Sequence, residues 1–284
     1  MMKKQLNSDD VIKANIEVHS ELVKKGEYQK SPHFNDENKN EVKIKLEKLV
    51  STLPTDIKEK KMIDFGCGTG FIIQLIQKKF TEVHGVDVST EMMKHIDTSS
   101  GNIFLHESVA EKTPFNDNSF DFATAYSFMD HLLDYKIFLK EVYRTLKKGG
   151  VFYSGLNPNK DFILGMDKSE KSIKLKSGVV NDEISKALHN GAYYKKNFGL
   201  NDDVLEKAEP TKTFEKGFDF NEVLKFAKSL GFSKVDVTFD WFLGQGQILK
   251  EQKSNDIKII NNYLQSLLPF SSQCFKYLSF IFTK

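Results

Sequence analysis

The run Asp64-Phe65-Gly66-Cys67-Gly68-Thr69-Gly70 constrains this chain more than any other segment. A short apolar stretch (61–65) precedes it and an apolar segment with helical spacing (71–79) follows. Three glycines at alternate positions weaken a strand or a helix, so they mark a sharp turn from one into the other. Such a turn lets the backbone approach a ligand without Cβ interference, and the next helix offers free N–H groups and a partial positive charge. The pattern is G-x-G-x-G. The dinucleotide fingerprint G-x-G-x-x-G would need glycine where Phe71 stands. Asp64, just before the turn, suits a ligand with an ammonium group better than one with two phosphates.

The surrounding segments alternate. Residues 82–88 form a second strand ending near Asp87, and Ser89 is placed to cap a helix around Met92 and Met93. Strands follow at 103–105 and 119–126. The segment 134–146 carries Tyr135, Phe138, Leu139, Val142, Tyr143 and Leu146 at spacings of three and four, the mark of an amphipathic helix, with Gly149-Gly150 as its stop. A fifth strand covers 151–156. Strands alternating with helices predict an α/β fold with a doubly wound, mostly parallel sheet. Two polar helices (8–30 and 37–53) come before it, and residues 157–216 interrupt the rhythm as a partly helical insertion. A helix at 220–230, a strand at 233–239, a helix near 257–268 and a last strand at 277–283 complete the reading. The division is then a helical N-terminal lid (1–60), a ligand-binding core (61–156), an insertion forming part of an acceptor site (157–216) and the C-terminal part of the core sheet (217–284).

Residues 61–156 resemble the core of a class I, Rossmann-like S-adenosylmethionine-dependent methyltransferase, of the broad group that includes the ubiquinone and menaquinone methylases. The resemblance is carried by residues 63–70, by 83–89, and by Ala110-Glu111-Lys112-Thr113-Pro114-Phe115 with Asn118-Ser119-Phe120-Asp121. It continues in Glu141-Val142-Tyr143-Arg144-Thr145-Leu146 running into the two glycines. It implies a seven-stranded sheet whose last strand is antiparallel, and the strand at 277–283 is placed to be that one. It also implies S-adenosylmethionine as cofactor, S-adenosylhomocysteine as product, and no metal. Position by position, Asp64, Gly66, Gly68 and Gly70 should lie at the methionine part. Asp87 and Val88 should meet the ribose, Val109 and Ala110 the adenine, and Tyr126 should stand beside the cofactor. Members often have an acidic residue where Val109 stands; here a backbone carbonyl or Glu111 would meet the adenine amino group.

Methyl transfer needs an acceptor on the methyl axis and, for oxygen or nitrogen, a base to take its proton. His131, just past the fourth strand, is the candidate base; a packing or capping histidine beside Leu132 and Leu133 is the other reading. His33 could cover the pocket or be an exposed loop histidine. In the insertion, His189, Tyr193 and Tyr194 are candidates for acceptor selectivity, and the tyrosines would stack on an acceptor or anchor the insertion to the core. His19, His84, His95 and His106 show no ligand spacing that indicates zinc.

Composition narrows the partners. Of 41 basic residues only Arg144 is an arginine, and the net charge is +2. Lysines spread in short runs make sequence-specific nucleic-acid reading unexpected. No apolar run reaches the roughly eighteen residues of a membrane span, and residues 1–10 lack a signal-peptide core. Cys67 and Cys274 make no disulfide framework. The expectation is a cytoplasmic methyltransferase that passes a methyl group to an oxygen or nitrogen of a small molecule. Three alternatives stand beside it: a non-catalytic S-adenosylmethionine-binding partner protein, an RNA or protein methyltransferase, and a nicotinamide-dependent oxidoreductase that Phe71 disfavours.

Overall fold

The computed structural model describes residues 6–27, 33, 35–54, 59–172, 178–188, 191–251 and 254–284. In chain order, α1 (Ser8–Lys24) and α2 (Asp36–Val50) lead into β1 (Lys61–Phe65), α3 (Phe71–Ile76) and β2 (Glu82–Asp87). Then come α4 (Thr90–Met93), β3 (Ile103–Glu107), β4 (Phe120–Tyr126), α5 (Tyr135–Thr145) and β5 (Leu146–Pro158). Five helices follow: α6 (Lys160–Lys171), α7 (Gly178–Leu188), α8 (Gly191–Phe198), α9 (Asp202–Ala208) and α10 (Pro210–Glu215). The chain closes with α11 (Phe220–Leu230), β6 (Lys234–Phe242), α12 (Gln245–Glu251), α13 (Ser254–Ser266) and β7 (Phe275–Thr283).

The seven strands make one sheet in the order β3-β2-β1-β4-β5-β7-β6. All neighbours among β1 to β5 are parallel, while β7 runs antiparallel to both β5 and β6. The expected last antiparallel strand is therefore present, inserted between β5 and β6. Successive strand residues point to opposite faces, so Ile63 and Phe65 of β1 enter one core while Met62 enters the other. The first core is closed by Phe138, Leu139 and Val142 of α5 with Val223 and Ala227 of α11. The second is closed by Val42, Leu46 and Val50 of α2 with Ile72, Ile73 and Ile76 of α3. Strand order turns back between β1 and β4, which opens a crevice at their carboxyl ends, where open α/β sheets bind ligands.

Several boundaries differ from the sequence reading. Helix α5 ends at Thr145, and β5 begins at Leu146 and runs through the glycine pair instead of being preceded by it. Gly149 adopts φ +79 and donates its N–H to the Lys284 carbonyl, while Gly150 accepts from Lys284 N–H, so the pair ties β5 to the residue that follows β7. Residues 157–216 are more helical than expected, with five helices. The two N-terminal helices, expected within one lid, pack in different places. Helix α2 is part of the core, whereas α1 sets Ala14, Val18 and Leu22 against Phe198, Leu200 and Ala208 in a small separate core. A stripe at i, i+4 and i+8 lies along one side of a helix. Burying each of its larger apolar side chains contributes roughly 1.5–3 kcal/mol, which fastens α1 to the insertion.

Candidate functional site

The glycine turn is built by backbone conformations that only glycine adopts without strain. Gly66, Gly68 and Gly70 have φ of 63, 50 and 83. A Cβ on Gly66 would fall inside the Phe128 ring, and one on Gly70 would lie 2.8 Å from Ile96 Cγ1. The turn is tied to the end of β2: Cys67 N–H donates to the Val86 carbonyl at 3.1 Å, and Gly68 N–H donates to Asp87 Oδ2 at 2.9 Å. The other oxygen of Asp87 accepts from Ser89 N–H at 2.8 Å, and Ser89 caps α4 through Met92 N–H as expected. One carboxylate thus sets the geometry of two loops while keeping further lone pairs for a ligand.

This arrangement borders a cavity of about 270 Å³ at the carboxyl ends of β1, β2 and β4. Asp64, Gly66, Gly68, Asp87, Val88, Val109, Ala110 and Tyr126 all line it. Gly70 does not; as the left-handed N-cap of α3 it shapes the turn from behind. Asp64 is buried and accepts a hydrogen bond from Thr124 Oγ1 at 2.6 Å. Burial, partly offset by that bond, pushes its carboxyl up to about 7, and the nearby Asp87 adds to the rise. A buried carboxyl held close to neutrality is one that a cationic ligand group can draw into its charged form. Burial also pushes Asp87 up, against the backbone N–H groups of Ser89 and Gly68 that favour its charge.

The far wall comes from α1 and the insertion. Val11, Asn15 and His19 of α1, Tyr194 of α8 and Glu209 between α9 and α10 all face the cavity. Asn15 and His19 were not singled out as site residues by the sequence reading. Their signal was only the i, i+4, i+8 face they share with Val11. His131 sits on the short 3-10 turn after β4 and also lines the cavity. Its Nδ1 is 2.9 Å from the Ala208 carbonyl, which can only accept. The proton is thereby fixed on Nδ1 and the lone pair on Nε2, the tautomer a general base requires. The His131 ring also meets His19 edge-on at 4.7 Å, and burial holds His19 down at about 3.

Asp130, His131 and Glu209 bring ligand-type atoms within 4.8 Å of one another. Lys212 Nζ lies 2.6 Å from Glu209 Oε2. Burial pushes Glu209 up, but Lys212 and His131 outweigh it and hold the carboxyl below its usual range. Burial raises Asp130 despite His131. The cluster already carries its own lysine counter-charge. His84 and His106, separate in sequence, pair at 3.0 Å across β2 and β3.

Two expected acceptor residues lie elsewhere. His33 lines neither this cavity nor a second one described below. Its ring is wedged edge-on against Trp241 at 4.2 Å and Tyr277 at 5.2 Å, and burial, with Lys276, lowers it to about 4. Tyr193 is 48% exposed and donates its hydroxyl to Glu27, because on α8 it points away from the cavity that its neighbour Tyr194 faces. His189 falls outside the described residues. Among the described residues no helix is long and apolar enough to cross a membrane.

Comparisons with known proteins follow the same core. Residues 63–154 match the methyltransferase domain family. A ubiquinone biosynthesis O-methyltransferase of Idiomarina loihiensis is 32% identical over 121 residues, covering 39% of this chain and 49% of that protein. A demethylmenaquinone methyltransferase of Staphylococcus aureus is 37% identical over 100 residues, 33% of this chain and 42% of that protein. The chain thus matches less than half the length of either relative. An S-adenosylmethionine-dependent methyltransferase structure from Thermotoga maritima superposes with a TM-score of 0.50 at 19% identity, covering 95% of this chain and 99% of that one, a likeness of fold.

Proposed function

We infer that this chain, whose residues 63–154 match the methyltransferase domain family, is a class I enzyme that transfers the methyl group of S-adenosylmethionine to an oxygen or nitrogen of a small-molecule acceptor. One observation carries the reading. The glycine turn and Asp87 are locked together by the Gly68 hydrogen bond on the wall of a single cavity, with Asp64 buried in the same wall. The ammonium of the methionine moiety would pair with Asp64, and the ribose hydroxyls would add to the lone pairs of Asp87. Val109 and Ala110 would flank the adenine, with Glu111, which also lines the cavity, as the candidate partner of its amino group. None of these contacts needs a phosphate or a metal.

The sulfonium is a good leaving group, so the protein chiefly positions the acceptor and excludes water. Helix α1 and the insertion supply that cover as a joint lid, held by their shared apolar core. For an acceptor that enters the first cavity, His131 Nε2 is the candidate base. Calorimetry with S-adenosylmethionine tests the assignment. Asp87→Ala should weaken binding about tenfold, the loss of one charge-assisted hydrogen bond; unchanged affinity in a folded variant would remove Asp87 from the cofactor site. Release of S-adenosylhomocysteine across a panel of small acceptors then separates an enzyme from a non-catalytic binding partner.

A further inference from the structure

A second cavity of about 470 Å³ lies beyond Tyr126, between α2, α13 and strands β4 to β7. Tyr126 lines both chambers. Its ring stacks on Phe71 with centroids 5.1 Å apart, and its hydroxyl accepts from Asn38 Nδ2 at 3.3 Å. A methionine moiety at Gly66 and Asp64 would stand on the near side of this ring, so one side chain divides the cofactor from the second chamber. Backbone strain points to the same place. Five non-glycine residues among those described have positive φ, and three of them border the two cavities: Ser127 the first, Leu156 and Trp241 the second. Bulky residues persist in the left-handed region only where their surroundings enforce it, and they gather at binding sites.

The chemistry of the second chamber is specific. Helix α2 presents Asn38, Glu41 and Lys45 at spacings of three and four, hence on one face. The outer two are engaged: Asn38 with Tyr126, and Lys45 with Thr238 and Asp240 at 3.3 Å each. Glu41, between them, has no hydrogen bond or ion pair among the described residues; it stands at the exposed rim of the chamber, which Lys258 also lines. Partial desolvation at the rim, with Glu37 and Asp240 near, pushes its carboxyl up, against the pull of Lys258 and Lys45. The same chamber is lined by the rings of Trp241 and Tyr126. A carboxylate without a partner in an aromatic-lined chamber attracts an ammonium group, since both the charge and the ring faces favour a cation.

Resting on the methyl-transfer reading above, we propose that this chamber is the acceptor site and that the acceptor is a small organic amine held through its nitrogen by Glu41. The bound ammonium gives up one proton, to Glu41 and through it to solvent. The nitrogen lone pair then forms the N–C bond as the S–C bond of the sulfonium breaks, its electron pair staying on sulfur. The positive charge passes from sulfur to nitrogen and the thioether leaves neutral.

Trp241 is the chain's single tryptophan, so its fluorescence reports on this chamber directly. With the protein saturated in S-adenosylhomocysteine, choline should bind at least tenfold tighter than its neutral isostere 3,3-dimethylbutan-1-ol, by Trp241 fluorescence and by calorimetry. Glu41→Gln should abolish that preference while leaving S-adenosylhomocysteine affinity and alcohol binding unchanged. Turnover should follow the same order, with 2-phenylethylamine methylated and 2-phenylethanol not. Equal binding of the two probes, or a preference that survives in Glu41→Gln, would overturn the amine assignment while the cofactor reading stands. Failure of the wild-type protein to bind S-adenosylhomocysteine would overturn the methyl-transfer reading, and this one with it.

Discussion

Replacing Asp64 with asparagine would separate what this carboxyl does for the fold from what it does for the ligand. Burial at the end of β1, only partly offset by Thr124, moves its pKa from 3.8 to about 7. The unfolded chain ionises near the lower value. Across the interval the folded state holds a proton that the unfolded state has released, so the ligand-free protein loses stability as pH rises from about 4 and levels off above about 7. A gap of that size is worth on the order of 4 kcal/mol at alkaline pH. Asparagine keeps an oxygen for the Thr124 hydroxyl and cannot ionise. The ligand-free variant should therefore be the more stable protein at pH 8, by on the order of 2–4 kcal/mol, and equal to the wild type at pH 4. Thermal unfolding followed by circular dichroism at several pH values measures this. Ligand binding should change in the opposite sense. S-adenosylmethionine draws the wild-type carboxyl into its charged form, so binding near pH 6 releases a proton, visible by calorimetry in buffers of different ionisation enthalpy. The variant should release none there and bind roughly 10–100-fold more weakly, the loss of one buried charged hydrogen bond. Parallel pH–stability curves for the two proteins, or equal affinities, would refute this reasoning.

Other outcomes follow from the same geometry. Gly66→Ala should cost about 1–2 kcal/mol for a left-handed alanine and about 1–3 kcal/mol more for the clash with Phe128, measured by denaturant unfolding. Gly101→Ala, with φ +76 but open space around its Cβ, should cost only the first part. If the two variants lose the same stability, the close approach at Gly66 is not what demands glycine. If the acceptor is held in the first cavity, His131→Asn should lower turnover about 10²–10⁴-fold while changing S-adenosylmethionine affinity less than about threefold. An unchanged rate would leave His131 as a clasp between β4 and the insertion through Ala208.

Much of the core was legible because its information is local. The sharp turn at Gly66 and Gly68, the cap at Ser89 and the end of β2 at Asp87 each follow from a few neighbouring residues, and the structure places them as the spacing implies. Helix α5 was legible for the same reason, apart from its end. There β5 captures residues 146–150 through pairing with β4 and the Lys284 backbone, a contact distant in sequence. The acceptor side was much less legible. His33 and Tyr193 are ordinary polar aromatics in sequence, and whether each faces a cavity depends on Trp241, Tyr277 and Glu27, all far along the chain.

The sequence alone determined the alternation of strands and helices in the core, the sharp glycine turn at Gly66–Gly70 and the acidic end of the second strand, since backbone propensity and apolar period are written within short windows. Tertiary structure decided what no short window contains. It sent α1 to the insertion and α2 to the sheet, because their buried stripes match different partners. It joined His19, His131 and Glu209 on one wall, and it set Glu41 beside a second chamber. A side chain's charge state and its partner depend on which distant surface covers it, and that is settled only when the layers pack.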